Sequence, residues 1–222
     1  QIEKESAPSN QEIPSYVQAI GAIYKNSDPS DIAVTAAGGL VGEVVQVWRP
    51  RELNTHETEW GFSCMGYEIS GALGIKMANP NKEVISFVGD GSYLLNNTDI
   101  YSSVITKNKL IIIVCDNGGF AVINRLQLFK GGNEYNNLLK SSNTPGLVDV
   151  DFAKHAESMG AKSEHVNSIS DLEEAFKRAK KSDVTYVISI KTHAYQWLEG
   201  SAFWDSPTLE IPTTDENKEA LK

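Results

Sequence analysis

Short apolar runs rich in β-branched residues alternate with longer segments of helical periodicity along most of the chain. Such alternation is typical of a parallel β-sheet covered by helices on both faces. The pattern predicts helices over 13–24, 42–48, 67–77, 98–106, 151–159 and 171–181, strands over 31–37, 84–88, 110–115, 163–166 and 185–191, and a loop over 51–64. We therefore expect an α/β fold, a three-layer sandwich with a mainly parallel central sheet.

Two segments flank the alternating region, which we interpret as one α/β domain over 13–192. Residues 1–12 are polar and linker-like, and the chain starts at Gln1 without a methionine, so we expect a piece of a longer protein. Residues 193–222 form an aromatic-rich tail. Its large aromatic side chains are Tyr195, Trp197, Phe203 and Trp204. Because such side chains need a surface to bury against, we expect the tail to dock on a partner domain rather than act as a lid.

Composition and charge disfavour several classes of function. The 222 residues are 41% hydrophobic and 22% charged, which is typical of a globular domain. The net charge of −9, without a long basic cluster, disfavours nucleic acid as a partner. The longest apolar run, 110–115, is too short to cross a bilayer, and the polar start is no signal peptide. With only two cysteines, these features favour a cytoplasmic protein without a membrane partner.

Two predicted strands end in loops rich in Asp, Asn and Gly. Strand 84–88 runs into Gly89-Asp90-Gly91, and strand 110–115 runs into Asp116-Asn117-Gly118-Gly119. Asn117 lies 27 positions after Asp90, which is enough for one helix and one returning strand, so parallel neighbours would share an edge. Glycines admit a phosphate close to the backbone, and carboxylate and amide oxygens suit Mg²⁺. The pattern predicts a magnesium–diphosphate site.

The same triplet could begin a dinucleotide-binding fingerprint, but Leu94 stands where the third glycine should be. A Gly-Asp-Gly triplet followed just under thirty residues later by an Asn pair instead resembles the motif of thiamine diphosphate-dependent enzymes. Here Asp116 stands at the first Asn of the pair. The resemblance implies a thiamine diphosphate-binding fold with thiamine diphosphate and Mg²⁺ as cofactors. It implies metal binding by Asp90, by the side chain of Asn117 and by the carbonyl of Gly119.

The resemblance also assigns roles around the cofactor. Gly91 and Ser92 would bind the diphosphate through backbone amides, Met65 would hold the cofactor in its bent conformation, and the Ser63 carbonyl would accept from the pyrimidine amino group. The implied cofactor-binding residues are Ala37, Gly38, Gly39, Ser63, Cys64, Met65, Gly89, Gly91, Ser92, Asn117, Gly119 and Phe120. For Cys64 we expect a packed, inert thiol rather than a nucleophile.

Within the family, segments 59–68, 89–94 and 203–207 are most similar to hydrolases of cyclic 1,2-diones in myo-inositol catabolism. Acetolactate synthase-like members usually have small residues and a proline at the positions around Tyr67 and Glu68, so these two residues favour the hydrolases. The resemblance implies hydrolysis of a carbon–carbon bond that opens a small cyclic dione to 5-deoxy-glucuronate. An acetolactate synthase-like lyase or transferase stays open as an alternative, as does a non-catalytic nucleotide-binding or assembly domain.

In this family the activating glutamate belongs to a separate pyrimidine-binding domain of the same or a neighbouring subunit, and we expect that domain to lie outside these 222 residues. The resemblance therefore implies a carboxyl-terminal part of a homo-oligomeric enzyme that is inactive by itself. His56, Glu57 and Glu59 precede the cofactor segment and could face substrate, although a solvated loop is the simpler interpretation.

Overall fold

The computed structural model describes residues 2–7, 12–144, 146, 148–199 and 215–220. The helices are α1 (Ile2–Glu5), α2 (Tyr16–Asn26), α3 (Gly38–Val47), α4 (Tyr67–Ala78), α5 (Asp90–Leu95), α6 (Asp99–Ile105), α7 (Ala121–Phe129), α8 (Phe152–Ser158), α9 (Ile169–Lys180) and α10 (Asp215–Ala220), with a 3₁₀ turn at Leu139–Ser141. The strands are β1 (Ile32–Thr35), β2 (His56–Thr58), β3 (Val84–Gly89), β4 (Ile111–Asp116), β5 (Lys162–Val166) and β6 (Tyr186–Lys191). Among these helices none is long and apolar enough to cross a membrane.

The six strands form one parallel sheet in the order β2-β1-β3-β4-β6-β5. Strands β3 and β4 are neighbours, with Gly89 opposite Cys115, so the loops that follow them lie side by side. This arrangement confirms the expected α/β fold with a parallel central sheet. It also confirms that Asp90 and Asn117 follow adjacent strands at one edge of the sheet.

Each face of the sheet is covered by a separate apolar core. Alternate side chains of the central strands point to opposite faces, as the period of a strand requires. On one face Ile111 and Ile113 pack with residues of α2, α3 and α9. On the other face Ile112 and Val114 pack with residues of α4, α6 and α8. The sheet is therefore the middle layer of three.

Several elements differ from the sequence prediction. Strand β2 lies inside the predicted loop 51–64. Its three residues are partly or fully exposed and show no apolar alternation, and the strand pairs in parallel with β1. Helix α3 begins at Gly38 rather than at residue 42. Gly38 has a left-handed φ of +75°, which a glycine adopts readily, so the chain turns directly from the end of β1 into the helix. Helices α5 and α7 were not predicted, and α1 lies within the linker-like segment 1–12.

The described part of the aromatic tail packs against its own domain. The Leu198 side chain is 2% exposed, and its N–H donates to Glu43 Oε1 at 2.9 Å. The Arg125 guanidinium lies 4.3 Å from the centre of the Trp197 ring. Residues 193–199 therefore cover α3 and α7, whereas Phe203 and Trp204 lie outside the described residues.

Candidate functional site

A cavity of about 310 Å³ opens where β1, β3 and β4 end. Its wall consists of the segments that follow these three strands, together with part of the loop before α4 and one residue of α2. The volume is within the range of small-molecule sites, and the carboxyl edge of a parallel sheet is where such folds bind ligands.

Most of the residues predicted for the site meet at this cavity. The predicted residues in its wall are Ala37, Gly38, Gly39, Ser63, Met65, Gly89, Asp90, Gly91, Ser92, Asn117, Gly119 and Phe120. Cys64 is the exception, since it does not line the cavity. Its thiol is exposed rather than packed, which differs from the expectation, and its backbone N–H donates to Glu59 Oε2 at 2.7 Å. Partial desolvation and the nearby Glu59 carboxylate raise the pKa of this thiol, which disfavours the thiolate.

Asp90 carries a carboxylate that the fold alone does not neutralise. Its side chain is 5% exposed. Burial, followed by the charge of Asp116, raises the pKa of Asp90 from its usual 3.8 to about 7, although backbone N–H groups of Gly119 and Asn117 oppose the shift. A buried carboxyl with such a pKa favours either a proton or a cation at neutral pH.

Asn117 presents a buried oxygen to the same place. Its Nδ2 donates to the Tyr16 hydroxyl, which fixes the amide so that Oδ1 lies on the other side. Oδ1 is buried and has no hydrogen-bond partner among the described residues. Because an orphaned buried acceptor is costly, this atom fits a ligand of a bound cation.

The metal ligands suggested by the sequence are hard oxygen donors. Within the described ranges no group of three or more His, Cys, Asp or Glu side chains could hold a metal ion. The candidate set instead combines one carboxylate, one amide oxygen and the backbone carbonyl of Gly119, a chemistry that suits Mg²⁺ with further oxygens from phosphate or water. The residues present therefore fit a magnesium–diphosphate group.

Asp116, which stands at the family's first Asn, is held by its own partners. Its carboxylate forms a salt bridge of 2.6 Å with Lys191, and its Oδ1 accepts the Gly118 N–H at 2.9 Å. Lys191 also pairs with Asp149 at 2.8 Å. The extra negative charge beside Asp90 is thus balanced by a lysine on the neighbouring strand.

Two glycines allow the backbone to approach closely. A Cβ on Gly91 would lie 2.6 Å from the Phe120 ring, so a side chain there would collide with the cavity wall. Gly119 has a φ of +141°, and a Cβ on it would lie 2.4 Å from the Asn137 carbonyl oxygen. Both positions require glycine for conformation or space.

The loop before α4 is shaped by Glu59. Its Oε1 accepts the Phe62 N–H at 2.7 Å, and its Oε2 accepts the Cys64 N–H, so the pKa of Glu59 is held below its usual range by these backbone donors. Between them Ser63 adopts a left-handed φ of +51° and lines the cavity beside Met65. Glu59 therefore supports the loop.

The two other residues considered for substrate contact lie on the edge strand β2, outside the cavity wall. His56 is half-buried, and burial lowers the pKa of its imidazole. Glu57 is exposed.

Five wall residues were missed by the sequence reasoning. They are Tyr16, Leu40, Ala121, Val122 and Ile123. The last three begin α7. An apolar stretch shortly after a Gly-Gly pair is typical of the helix that follows a strand in a βα unit. Tyr16 had no such signature, because it reaches the site from α2, which begins with a Ser15–Gln18 capping box far from the motifs in sequence.

Comparisons with known proteins identify the family of the chain. The family model described as "Thiamine pyrophosphate enzyme, C-terminal TPP binding domain" matches residues 36–190. The chain is 35% identical over 205 residues to the 3D-(3,5/4)-trihydroxycyclohexane-1,2-dione hydrolase of Bacillus licheniformis, covering 92% of this chain and 32% of that protein. It is 37% identical over 207 residues to the hydrolase of the same name from Lacticaseibacillus casei, with the same coverage. The chain spans about a third of the length of these relatives.

A solved structure supports the fold. The thiamine diphosphate-dependent 4-hydroxybenzoylformate decarboxylase of Rhodococcus jostii RHA1 is similar with a TM-score of 0.71 and 22% identity, over 84% of this chain and 34% of that one. At this identity the likeness concerns the fold alone. The family match over residues 36–190 shows that the chain belongs to the thiamine pyrophosphate enzymes and contains their C-terminal cofactor-binding domain.

Proposed function

We propose that the cavity binds the diphosphate of thiamine diphosphate through a magnesium ion held by Asp90, Asn117 and Gly119. The observation that carries this proposal is the Asn117 Oδ1 atom, which is buried without a partner among the described residues. It lies in the same wall as the Asp90 carboxylate, whose pKa is raised to about 7 by burial and by Asp116. A divalent cation would satisfy both groups at once.

The rest of the wall suits the remainder of the cofactor. The Gly91 and Ser92 backbone and the Ala37-Gly38-Gly39 segment would cradle the diphosphate, and Met65 and the Ser63 carbonyl would face the cofactor's rings. When bound, thiamine diphosphate supplies a thiazolium carbon that attacks carbonyl groups and stores the electron pair of the broken bond. The protein's own contribution is to bind, orient and exclude water from this group.

For the whole enzyme we propose hydrolysis of a trihydroxycyclohexane-1,2-dione, which opens the ring to 5-deoxy-glucuronate in cytoplasmic inositol catabolism. The relatives that span this chain carry that hydrolase name. The chain matches only about a third of their length, so most of the substrate pocket would come from other domains. We propose that the 222-residue chain alone does not turn the dione over.

Exposed apolar side chains support a partner at the mouth of the cavity. Met65, Phe120 and Ile123 line the cavity and are more than a third exposed, and Trp60 and Phe62 of the preceding loop are also exposed. Apolar residues clustered in this way favour a protein contact. We propose that a pyrimidine-binding domain of the same or a neighbouring subunit covers them in a homo-oligomer and contributes the activating glutamate.

Calorimetric titration tests the cofactor site. Purified chain is titrated with thiamine diphosphate and with inorganic pyrophosphate, each with and without Mg²⁺. We expect magnesium-dependent binding that is lost in Asp90→Ala and retained in Asp183→Ala, which removes an exposed carboxylate paired with Lys162. Equal binding by wild type and Asp90→Ala, or no binding of either ligand to wild type, would refute the proposed site. Turnover of the dione by the chain alone would refute its proposed inactivity.

A further inference from the structure

We infer that Glu68 is a positioning residue of the cofactor site, since its one carboxylate joins three segments that form the cavity wall. Glu68 does not line the cavity itself. It is the second residue of α4 and is 1% exposed, so water does not satisfy its charge. The inference rests on the proposed function, because it concerns how the wall that faces the diphosphate is kept in shape.

Three donors from separate parts of the chain converge on this carboxylate. Oε1 accepts the Ala37 N–H at 3.0 Å, and Oε2 accepts the Gly66 N–H at 2.8 Å. The Ser92 hydroxyl lies 2.9 Å from Oε1 and 2.8 Å from Oε2, and it also accepts from Gly66 N–H at 2.8 Å. The donors therefore share one buried network.

Each donor belongs to, or adjoins, a wall segment. Ala37 begins the segment after β1, Ser92 follows Gly91 after β3, and Gly66 comes directly after Met65. Gly66 has a φ of +95°, and a Cβ on it would lie 2.4 Å from the Asn96 Cβ, so the loop has little freedom at this point. Two backbone N–H groups and the Ser92 hydroxyl are thus held by one carboxylate, which restrains the wall segments whose remaining amides would face a diphosphate.

The network is also anchored to the sheet. The Glu68 carbonyl oxygen accepts the hydroxyl of Ser86, a buried residue of β3, at 2.7 Å. A rigid strand thus holds the start of α4, and α4 in turn presents the carboxylate to the three donors. Precise sites depend on such outer contacts, whose loss costs roughly 10- to 100-fold in affinity or activity.

Glu68 is negatively charged when it accepts all three donors, whereas the proposed ligand is an anion. Long-range charge alone would make the carboxylate unfavourable for diphosphate binding. Its removal should therefore tighten binding if charge dominates and weaken binding if positioning dominates. In Glu68→Gln the NH₂ group would face N–H and O–H donors, so the side chain keeps its volume but cannot accept the same set.

The test uses the 222-residue chain in four forms: wild type, Glu68→Gln, Glu68→Ala and Asp31→Asn. Asp31 is the matched control. It is 3% exposed, lies at the amino-terminal end of β1, and its carboxylate accepts from Asp28 N–H and Lys180. The dissociation constant for pyrophosphate with Mg²⁺ is measured by calorimetry. Amide proton shifts and hydrogen exchange at Ala37 and Gly66 are followed by NMR without ligand.

We expect both Glu68 variants to bind magnesium pyrophosphate roughly 10- to 100-fold more weakly. The Ala37 and Gly66 amides should shift upfield and exchange faster in these variants. Asp31→Asn should lose stability while its affinity stays within about twofold of wild type. Wild-type affinity or tighter binding in Glu68→Gln would overturn the positioning role and leave the proposed function standing. Absence of binding in the wild type would instead overturn the proposed function, and the inference with it.

Discussion

Replacing Asp90 by asparagine should stabilise the metal-free protein at neutral pH while it removes the proposed metal ligand. The folded state raises the pKa of Asp90 to about 7, whereas in the unfolded chain the carboxyl returns to about 3.8. The folded form therefore holds the proton more tightly. Ionisation of Asp90 costs stability progressively as the pH rises from about 4 to about 7.

The size of the effect follows from the shift. A difference of about 3 pKa units corresponds to about 4 kcal/mol once the carboxyl is ionised in both states. Most of this loss falls above pH 5, where the unfolded carboxyl is already ionised but the folded one is not. Between pH 5 and pH 8 the stability of Asp90→Asn relative to wild type should rise by about 2 to 3 kcal/mol. The asparagine keeps one acceptor oxygen for the Asn117 and Gly119 N–H groups, so its lost hydrogen bond adds a pH-independent offset of about 1 kcal/mol.

Urea denaturation of wild type and Asp90→Asn in EDTA, at pH 5, 6, 7 and 8, measures this difference. Taking the difference between the two proteins removes the contributions of other titrating groups that lie far from Asp90. Added Mg²⁺ with pyrophosphate should then stabilise wild type at pH 8 and leave the variant unchanged.

A stability difference that stays flat from pH 5 to pH 8 would refute the assignment of a raised pKa to Asp90. The opposite result would be an Asp90→Asn variant that is less stable than wild type, with a larger deficit at pH 8 than at pH 5. It would show that the Asp90 carboxylate is already well compensated in the folded state. Stabilisation of Asp90→Asn by magnesium pyrophosphate equal to that of wild type would place the metal elsewhere.

Three further substitutions probe the wall and the tail. Gly91→Ala should weaken magnesium pyrophosphate binding by about tenfold or more in calorimetry, because its Cβ would lie 2.6 Å from the Phe120 ring; unchanged affinity would show that the ring gives way freely. Tyr16→Phe removes the acceptor of the Asn117 amide and should weaken Mg²⁺-dependent binding by roughly tenfold, which an unaltered dissociation constant would contradict. Leu198→Ala should lower the free energy of unfolding by about 2 to 4 kcal/mol in urea, since the side chain is 2% exposed; a change under about 0.5 kcal/mol would show that the tail adds no packing.

The central part of the fold could be predicted from the sequence because its strands are continuous apolar runs. Strand β4 is buried along its whole length, and the neighbouring β3 is buried except at Gly89. Short continuous apolar runs of this kind are typical of strands that are buried on both faces of a parallel sheet. The pairing of β3 with β4 followed from the length of the connection, and with it the meeting of Asp90 and Asn117.

What escaped prediction depends on contacts between residues far apart in the chain. Strand β2 is recognisable only through its pairing with β1, since its own residues lack alternation. The Tyr16 hydroxyl meets Asn117 across 101 positions of sequence, and no local pattern marks either the contact or its direction. The Glu68 network similarly spans 31 positions to Ala37 and 24 to Ser92.

The edge of the sheet at which these contacts meet is less well compensated than the two cores beneath it. Asp90 and Asp116 lie at the carboxyl ends of adjacent strands and are each 5% exposed. Of the two, only Asp116 has a lysine within salt-bridge distance among the described residues. Asn117 contributes a buried oxygen without a described partner, held in place by Tyr16. Buried acceptors without hydrogen-bond partners destabilise the folded state. A stable fold tolerates several of them in one place only where the cores supply enough stability and where a bound ligand satisfies the acceptors. The same groups that destabilise the metal-free domain would therefore give a divalent cation its affinity, which is why Asp90→Asn should move stability and binding in opposite directions.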